Sequence, residues 1–519
     1  MKKTILFSCL FILTSFLATA QVQKLHELTT GKVIDSKVIY EEGSGDVFGY
    51  FFLYERDRFD KKLFEFEYVI LDKNLNKLSS KFFSQSIYRM DLIKLEPRLS
   101  FVVKKGAEII FGLHDSLGEG APSYIMYGHY NSRYRKINLN DYNLSNTYYL
   151  AGNILNEQND NNLEEENENL DYAKMGEKQT IFPLTGDKFL LFGVQDGVPH
   201  KFPKVILGNS YYRNSRAEIQ SFRILNTDFE TVANVPINRN SKEDIFYRYD
   251  ANDKDLLILK KRNVPKFKSG EYNYEAFDIK TGEPIGEFSY EDKEAGYKLI
   301  QVGETQFTEN HVIFYFDYYN IKKKTDNKFK LGVAKYVLDK KTFNVLSKDF
   351  FDIQDMTDLL TTDPKRKARD VYFVANDLKK LKNGKTLAFF KLYYKKRTKN
   401  FNEIYAIEFD KDFKTSNFYR AGENEKGVEY KQLQKLDEDG NYAFFYLIID
   451  SMRRNLLGNY KYDYSLGIIT YVDEEFEVTR LPLKKEGSKI YPGIAKNGYI
   501  RIIEETKDSY EIRLEKVNY

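Results

Sequence analysis

Dense apolar runs, each announced by a turn residue, recur along this chain. They read GYFFLY (49–54), AEIIFGL (107–113), DKFLLFGV (187–194), DLLILK (255–260), HVIFYFDYY (311–319), KTLAFFKLYY (385–394), NYAFFYLII (441–449) and YIRII (499–503). Their apolar positions do not alternate, so each run fits a short strand covered on both faces. Turn pairs such as Lys105-Gly106, Gly186-Asp187, Asn383-Gly384, Asp439-Gly440 and Asn497-Gly498 precede several of them. A second pattern follows: an apolar stretch, then Asp72, Asn226, Asp278, Asp339, Asp410 or Asp473, then Leu75, Phe229, Phe343, Phe413 or Phe476 three or four residues on. Asp and Asn bond their own backbone in turns. The pattern therefore predicts a β-hairpin whose return strand begins at the Leu or Phe.

The two patterns together make a four-stranded unit repeated eight times. One such unit cannot cover its own faces, but a ring of them can. The expected fold is all-β: a single β-propeller over 21–519, with eight blades by repeat count. Residues 95–150 form the least regular unit, which leaves seven blades as the alternative. The last unit lacks room for a fourth strand, and the segment 22–40 can supply it and close the ring. An outer-membrane barrel is the rival, but barrel strands are longer and alternate strictly. The polar stretch NEQNDNNLEEENENLD (156–171) has too little apolar surface to order itself and reads as a flexible acidic insertion.

Composition agrees with strands: 40 Phe and 41 Tyr against 11 Pro. The net charge of +3 argues against a dedicated nucleic-acid binder. The N-terminus, MKKTILFSCLFILTSFLATA, has a basic start, a short apolar core and an A-x-A ending, which predicts a secretory signal peptide over 1–20. The one cysteine, Cys9, lies inside that apolar core, so the exported chain would have no disulfide. No second apolar run is long enough for a transmembrane helix. The signal ending in TAQ and the repeated strand pattern resemble uncharacterised secreted β-propeller proteins of Bacteroidota type. The resemblance is one of general pattern, without a WD or kelch motif. It implies export to the periplasm, to the outer membrane or beyond it.

Catalytic chemistry finds little support. The five histidines are never paired at short spacing, and neither H-E-x-x-H nor C-x-x-C occurs. No G-x-S-x-G elbow and no Gly-rich phosphate loop is present, and nothing calls for a cofactor. A carbohydrate-active enzyme with paired carboxylates near the propeller axis is the alternative to binding, with Asp317 and Glu304 as conceivable members.

The clearest surface signal is an echo: SYYRNSR (210–216), FDYYNIKKKTDNK (316–328) and KLYYKKRTKN (391–400). In a propeller, equivalent connections between the second and third strands lie side by side on one face. Six of them (56–62, 195–216, 259–270, 317–328, 394–400 and 450–464) hold 24 Lys/Arg against 7 Asp/Glu, although the acidic insertion and the inter-blade crossovers bring that face down to about +5. Tyr211, Tyr212, Tyr318, Tyr319, Tyr393 and Tyr394 would offer stacking surfaces beside Arg213, Lys322, Lys323, Lys324, Lys395, Lys396 and Arg397. Such a face suits an anionic polysaccharide or an acidic envelope protein. The bland reading is that these cations keep loop tips solvated.

Overall fold

The eight apolar runs become the second strands of eight blades. In the computed structural model the blades span 32–86, 95–158, 180–235, 245–288, 291–352, 371–425, 429–482 and 489–516. The structure describes residues 21–517 except 43–44, 59–62, 87–94, 118–129, 146, 152–153, 159–179, 195–219, 237–244, 264–270, 324–329, 353–370, 397–398, 426–428, 438, 455–459, 483–488 and 507–509. The proposed signal peptide thus lies outside the described residues. So does most of the acidic insertion; its first residues, 156–158, end a fifth strand of blade 2, Ile154–Gln158.

Within each sheet the main strands follow chain order and run antiparallel. Among the described residues blade 8 has three strands of its own. Its fourth is Gln21–Lys24, paired to Tyr510–Lys516 from Gln21↔Leu514 to Lys24↔Glu511. The ring is therefore closed by the N-terminal strand, as the missing fourth strand requires. First strands of neighbouring blades run side by side, Lys32–Tyr40 against Leu95–Lys105 and Glu429–Lys435 against Lys489–Ile494, and so surround the axis.

The hydrophobic core is not one cluster but eight, one in every seam between blades. The seam between blades 8 and 1 contains Tyr50, Phe52, Ile503 and Ile512, and that between blades 5 and 6 contains Tyr315, Phe351, Phe390 and Phe409. Eight seams for eight blades cover both faces of each blade among the described residues. This explains why the runs do not alternate: Tyr50, Phe51, Phe52, Leu53 and Tyr54 are all fully buried because each face of the strand meets a neighbour.

The hairpin turns differ from expectation in one respect. Leu75, Phe229, Phe343 and Phe413 do not begin return strands. They sit in the turns themselves at φ of 66°, 63°, 58° and 61°. Asp410 Oδ1 accepts from the backbone N–H of Asp412 and of Lys414, both at 2.9 Å, and Asp72 and Asn226 do the same in their turns. The turn so fixed drives the apolar side chain across the seam onto the preceding blade. Phe413 of blade 6 stacks on Phe409 and meets Tyr315 of blade 5, while Phe229 of blade 3 meets Tyr134 of blade 2. A lysine of the preceding blade completes several latches: Lys136 reaches Asp228 at 3.0 Å, and Lys496 of blade 8 reaches Asn74 of blade 1 at 2.6 Å.

The connections between second and third strands also need correction. Several are long hairpins rather than loops. Tyr393, Tyr394, Lys395 and Lys396 belong to the strand Thr386–Lys396, which pairs with Lys399–Phe409 as far as Lys396↔Lys399 and leaves a connection of only two residues. The high β-propensity of the tyrosines carries the ladder beyond the core.

Candidate functional site

Two regions compare as sites: the hairpin face expected from the sequence, and the axial mouth at the opposite, tight-turn face.

On the hairpin face the tyrosines of blade 5 are not stacking platforms. Tyr318 is 1% and Tyr319 3% exposed. The Tyr318 ring packs on Tyr297 and Phe350 at 4.8 and 5.2 Å, and its hydroxyl donates to Asp352. They are buried because the sheet continues to Asn320, so a side chain that a loop would expose lies in a seam. Lys322 and Lys323 follow in an exposed turn capped by Asn320 Oδ1, which accepts from Lys322 N–H at 3.0 Å. Tyr211, Tyr212, Arg213, Lys324 and Arg397 lie outside the described residues. The structure places Tyr393, Tyr394, Lys395 and Lys396 by register alone.

Cations nearer the core are already neutralised. Lys260 pairs with Asp250 at 2.6 Å, Lys261 with Glu275, and the buried Lys330 with Asp317 at 2.5 Å. The hairpin tips are placed by register alone. Blade 6 sets Lys396 directly across from Lys399, and the adjacent blade 7 sets Arg453 across from Lys461. The nearest acid on the blade 7 ladder is Asp463, opposite Ser451.

At the axial mouth the first-to-second-strand connection of blade 5 is unusually long, and within it Gln306–Phe307 pairs back onto His311–Asn320. Gln306 ties this loop to blade 6: its amide N–H donates to the Leu378 carbonyl, and its Oε1 accepts from Lys380 N–H at 2.8 Å. Gly303 turns the loop at φ 68°, a conformation that favours glycine, beside Asp377 and Leu378 of blade 6. Glu304 follows. It is exposed and has no hydrogen bond or ion pair among the described residues. Its charge nevertheless acts on Tyr40 of blade 1, Tyr249 of blade 4, and Asp377 and Tyr430 of blades 6 and 7.

Asp377 Oδ2 accepts from the Tyr430 hydroxyl at 2.7 Å. Burial pushes the Asp377 carboxyl above the usual aspartate range, and Glu304 adds to the push, against the Tyr430 hydrogen bond. Burial also raises the Tyr249 and Tyr430 phenols, so both remain protonated donors. Away from the axis, in the seam between blades 8 and 1, Arg501 lies over the ring of Tyr50 at 5.5 Å. Its Nε and Nη1 are closed to solvent and meet no acceptor, and burial holds the guanidinium below its ordinary value.

Of the two carboxylates picked out from sequence, Glu304 is axial and Asp317 is not. Asp317 serves a structural ion pair within blade 5. Asp377, Tyr40, Tyr249 and Tyr430 carry no sequence motif. Among the described residues no cluster of His, Cys, Asp or Glu could hold a metal, and no helix is long and apolar enough to cross a membrane.

Residues 1–95 match a family of unknown function, DUF6770. No curated protein matches the chain. Among solved structures, the chain is similar to the WD40 domain of SCAP from fission yeast, at 9% identity and a TM-score of 0.40, over 96% of this chain and 98% of that one. It is also similar to a prolyl endopeptidase, at 10% identity and a TM-score of 0.39, over 92% of this chain and 55% of that one. A third likeness is to Drosophila Plexin A in complex with Semaphorin 1b, at 8% identity and a TM-score of 0.35, over 80% of this chain and 84% of that one.

Proposed function

We propose that this protein is an exported binding propeller whose hairpin face holds an acidic polysaccharide of the cell envelope. The observation that carries the reading is the pairing of like charges at adjacent hairpin tips, Lys396↔Lys399 and Arg453↔Lys461. Like charges directly opposite each other on a ladder are unfavourable. A polyanion laid across blades 6 and 7 relieves both pairs at once, and the exposed Lys322 and Lys323 of blade 5 extend the same track. Export rests on the signal-like residues 1–20.

The test is binding of residues 21–519 to acidic and neutral polysaccharides over a range of salt, with analysis of products. Expected is binding to the acidic members only, weakening as salt rises and lost on charge reversal at Lys396 and Arg453. Salt-insensitive binding, or none, sinks the reading and directs the search to envelope proteins. A carbohydrate-active enzyme is the second reading, favoured by the proximity of Glu304 and Asp377 at the axis. Cleaved products that disappear in Asp377→Asn and Glu304→Gln would establish it.

A further inference from the structure

Blade 7 carries a ribbon that its own sheet does not cover. Its second and third strands, Tyr442–Arg454 and Tyr460–Val472, pair with each other as far as Arg454↔Tyr460. The first strand stops at Glu429↔Leu447, and the fourth stops at Ser465↔Pro482. Pro482 has no N–H to give and ends the fourth strand. The rungs Ser451↔Asp463, Met452↔Tyr462, Arg453↔Lys461 and Arg454↔Tyr460 thus rise beyond the four-stranded sheet, with no third strand on either edge among the described residues. Blade 5 shows the contrast: its first strand follows the hairpin to Tyr297↔Asn320 and its fourth to Gly332↔Asp352. A two-stranded ribbon is barely stable in water by itself, and its open edges offer rows of backbone donors and acceptors.

The ribbon also has two unlike faces. Residues opposite each other on a ladder share a face, and the face changes at every residue along a strand. Tyr464 packs against the cluster that fills the seam between blades 7 and 8. Register places Tyr460, Tyr462 and Met452 on that same face, and Arg453, Lys461 and Asp463 on the other.

We infer that the Tyr460–Asp463 edge of blade 7 is a docking site for an extended segment of a partner protein, which adds to the ribbon as a third strand and alternates apolar with acidic residues. Backbone pairing along the edge supplies affinity, and the alternate side chains select the partner. Apolar residues of the incoming strand fall on the tyrosine face. Its acids fall on the face where Arg453 and Lys461 outnumber Asp463, and so offset a like-charged pair. The edge is about 14 Å long, enough for a segment of roughly four residues. This docking shares two cations with the polysaccharide reading and does not rest on it, because its first requirement is a peptide backbone.

Calorimetry with residues 21–519 tests this, using a capped heptapeptide of alternating glutamate and valine. The comparison peptides are N-methylated at every valine or at every glutamate, replace glutamate by lysine, or consist of glutamate alone. Expected is binding of the first peptide, weakened tenfold or more in one of the two methylated forms, with hydrogen exchange slowed at residues 460–463. Lys461→Glu should shift the preference to the lysine peptide. The methylated peptides need no variant, so they remain decisive even if Lys461→Glu folds poorly. No binding at millimolar concentration, equal binding by both methylated forms, equal binding by the all-glutamate peptide, or protection elsewhere overturns the proposal. Self-association of the protein that the peptide does not disrupt also overturns it, since a second copy then covers the edge. Binding of acidic polysaccharides without the peptide overturns this inference and leaves the polysaccharide reading standing; peptide binding without polysaccharide binding does the reverse.

Discussion

Four apolar side chains, Leu75, Phe229, Phe343 and Phe413, are held at positive φ in turns and fill seams between blades. Phe413 lies at φ 61° and stacks on Phe409 with centroids 4.5 Å apart, bridging blades 6 and 5. A phenylalanine tolerates this backbone only because the seam it fills repays the strain. Phe413→Ala should lose about 3 kcal/mol of stability in urea denaturation. Phe413→Gly should lose about 1 kcal/mol less than that, since glycine removes the strain as well as the ring. The reverse order would mean that the turn, not the ring, dominates. Asp377 gives a second residue-level test. Burial raises its folded pKa above the unfolded value of about 4, so its contribution is fully present below that value and is lost as pH rises through the folded pKa. Denaturation from pH 4 to pH 7 should therefore show Asp377→Asn gaining stability relative to wild type as pH rises, with the difference closing at the acid end. A constant difference would contradict the assigned direction.

At the scale of elements, the register at the hairpin tips of blades 6 and 7 sets like charges across from each other. Lys396→Glu replaces a like pair opposite Lys399 with an opposite one. It should stabilise the fold by roughly 0.2–1 kcal/mol while weakening polysaccharide binding. A change of the same sign in both measurements would separate the tip from the binding face. The turns obey a similar local logic. Asp410→Ala leaves two backbone N–H groups without their acceptor and should cost about 1 kcal/mol by denaturation. The turn chemistry was legible from the spacing of Asp and Phe. The placement of Phe413 inside the turn was not, because which side of the turn the ring occupies is set by the neighbouring blade.

At the scale of the whole molecule, stability depends on closing the ring. Gln21–Lys24 covers the edge of Tyr510–Lys516, and the Tyr54 hydroxyl donates to the Leu25 carbonyl at 3.0 Å where the chain enters the blade 8–blade 1 seam. Removing residues 21–24 uncovers a strand edge. The shortened chain should melt at a lower temperature and self-associate with concentration in sedimentation. A monomer of unchanged melting temperature would show that the seam alone closes the ring.

The sequence by itself determined an eight-fold repeat, the position of every second strand, the missing fourth strand and the segment that contains it, and the structure decided for eight blades over seven. These are legible because burial on both faces and the turn chemistry act over a few residues and repeat. Only the tertiary structure decided the site. Tyr318 and Tyr319 read as loop residues until the ladder placed them inside a seam. Asp377 of blade 6, Tyr430 of blade 7 and the Gly303-Glu304 turn of blade 5 come together only because the ring brings the first strands of neighbouring blades side by side. Residues so many positions apart leave no spacing to read, and their chemistry exists only once the blades have met.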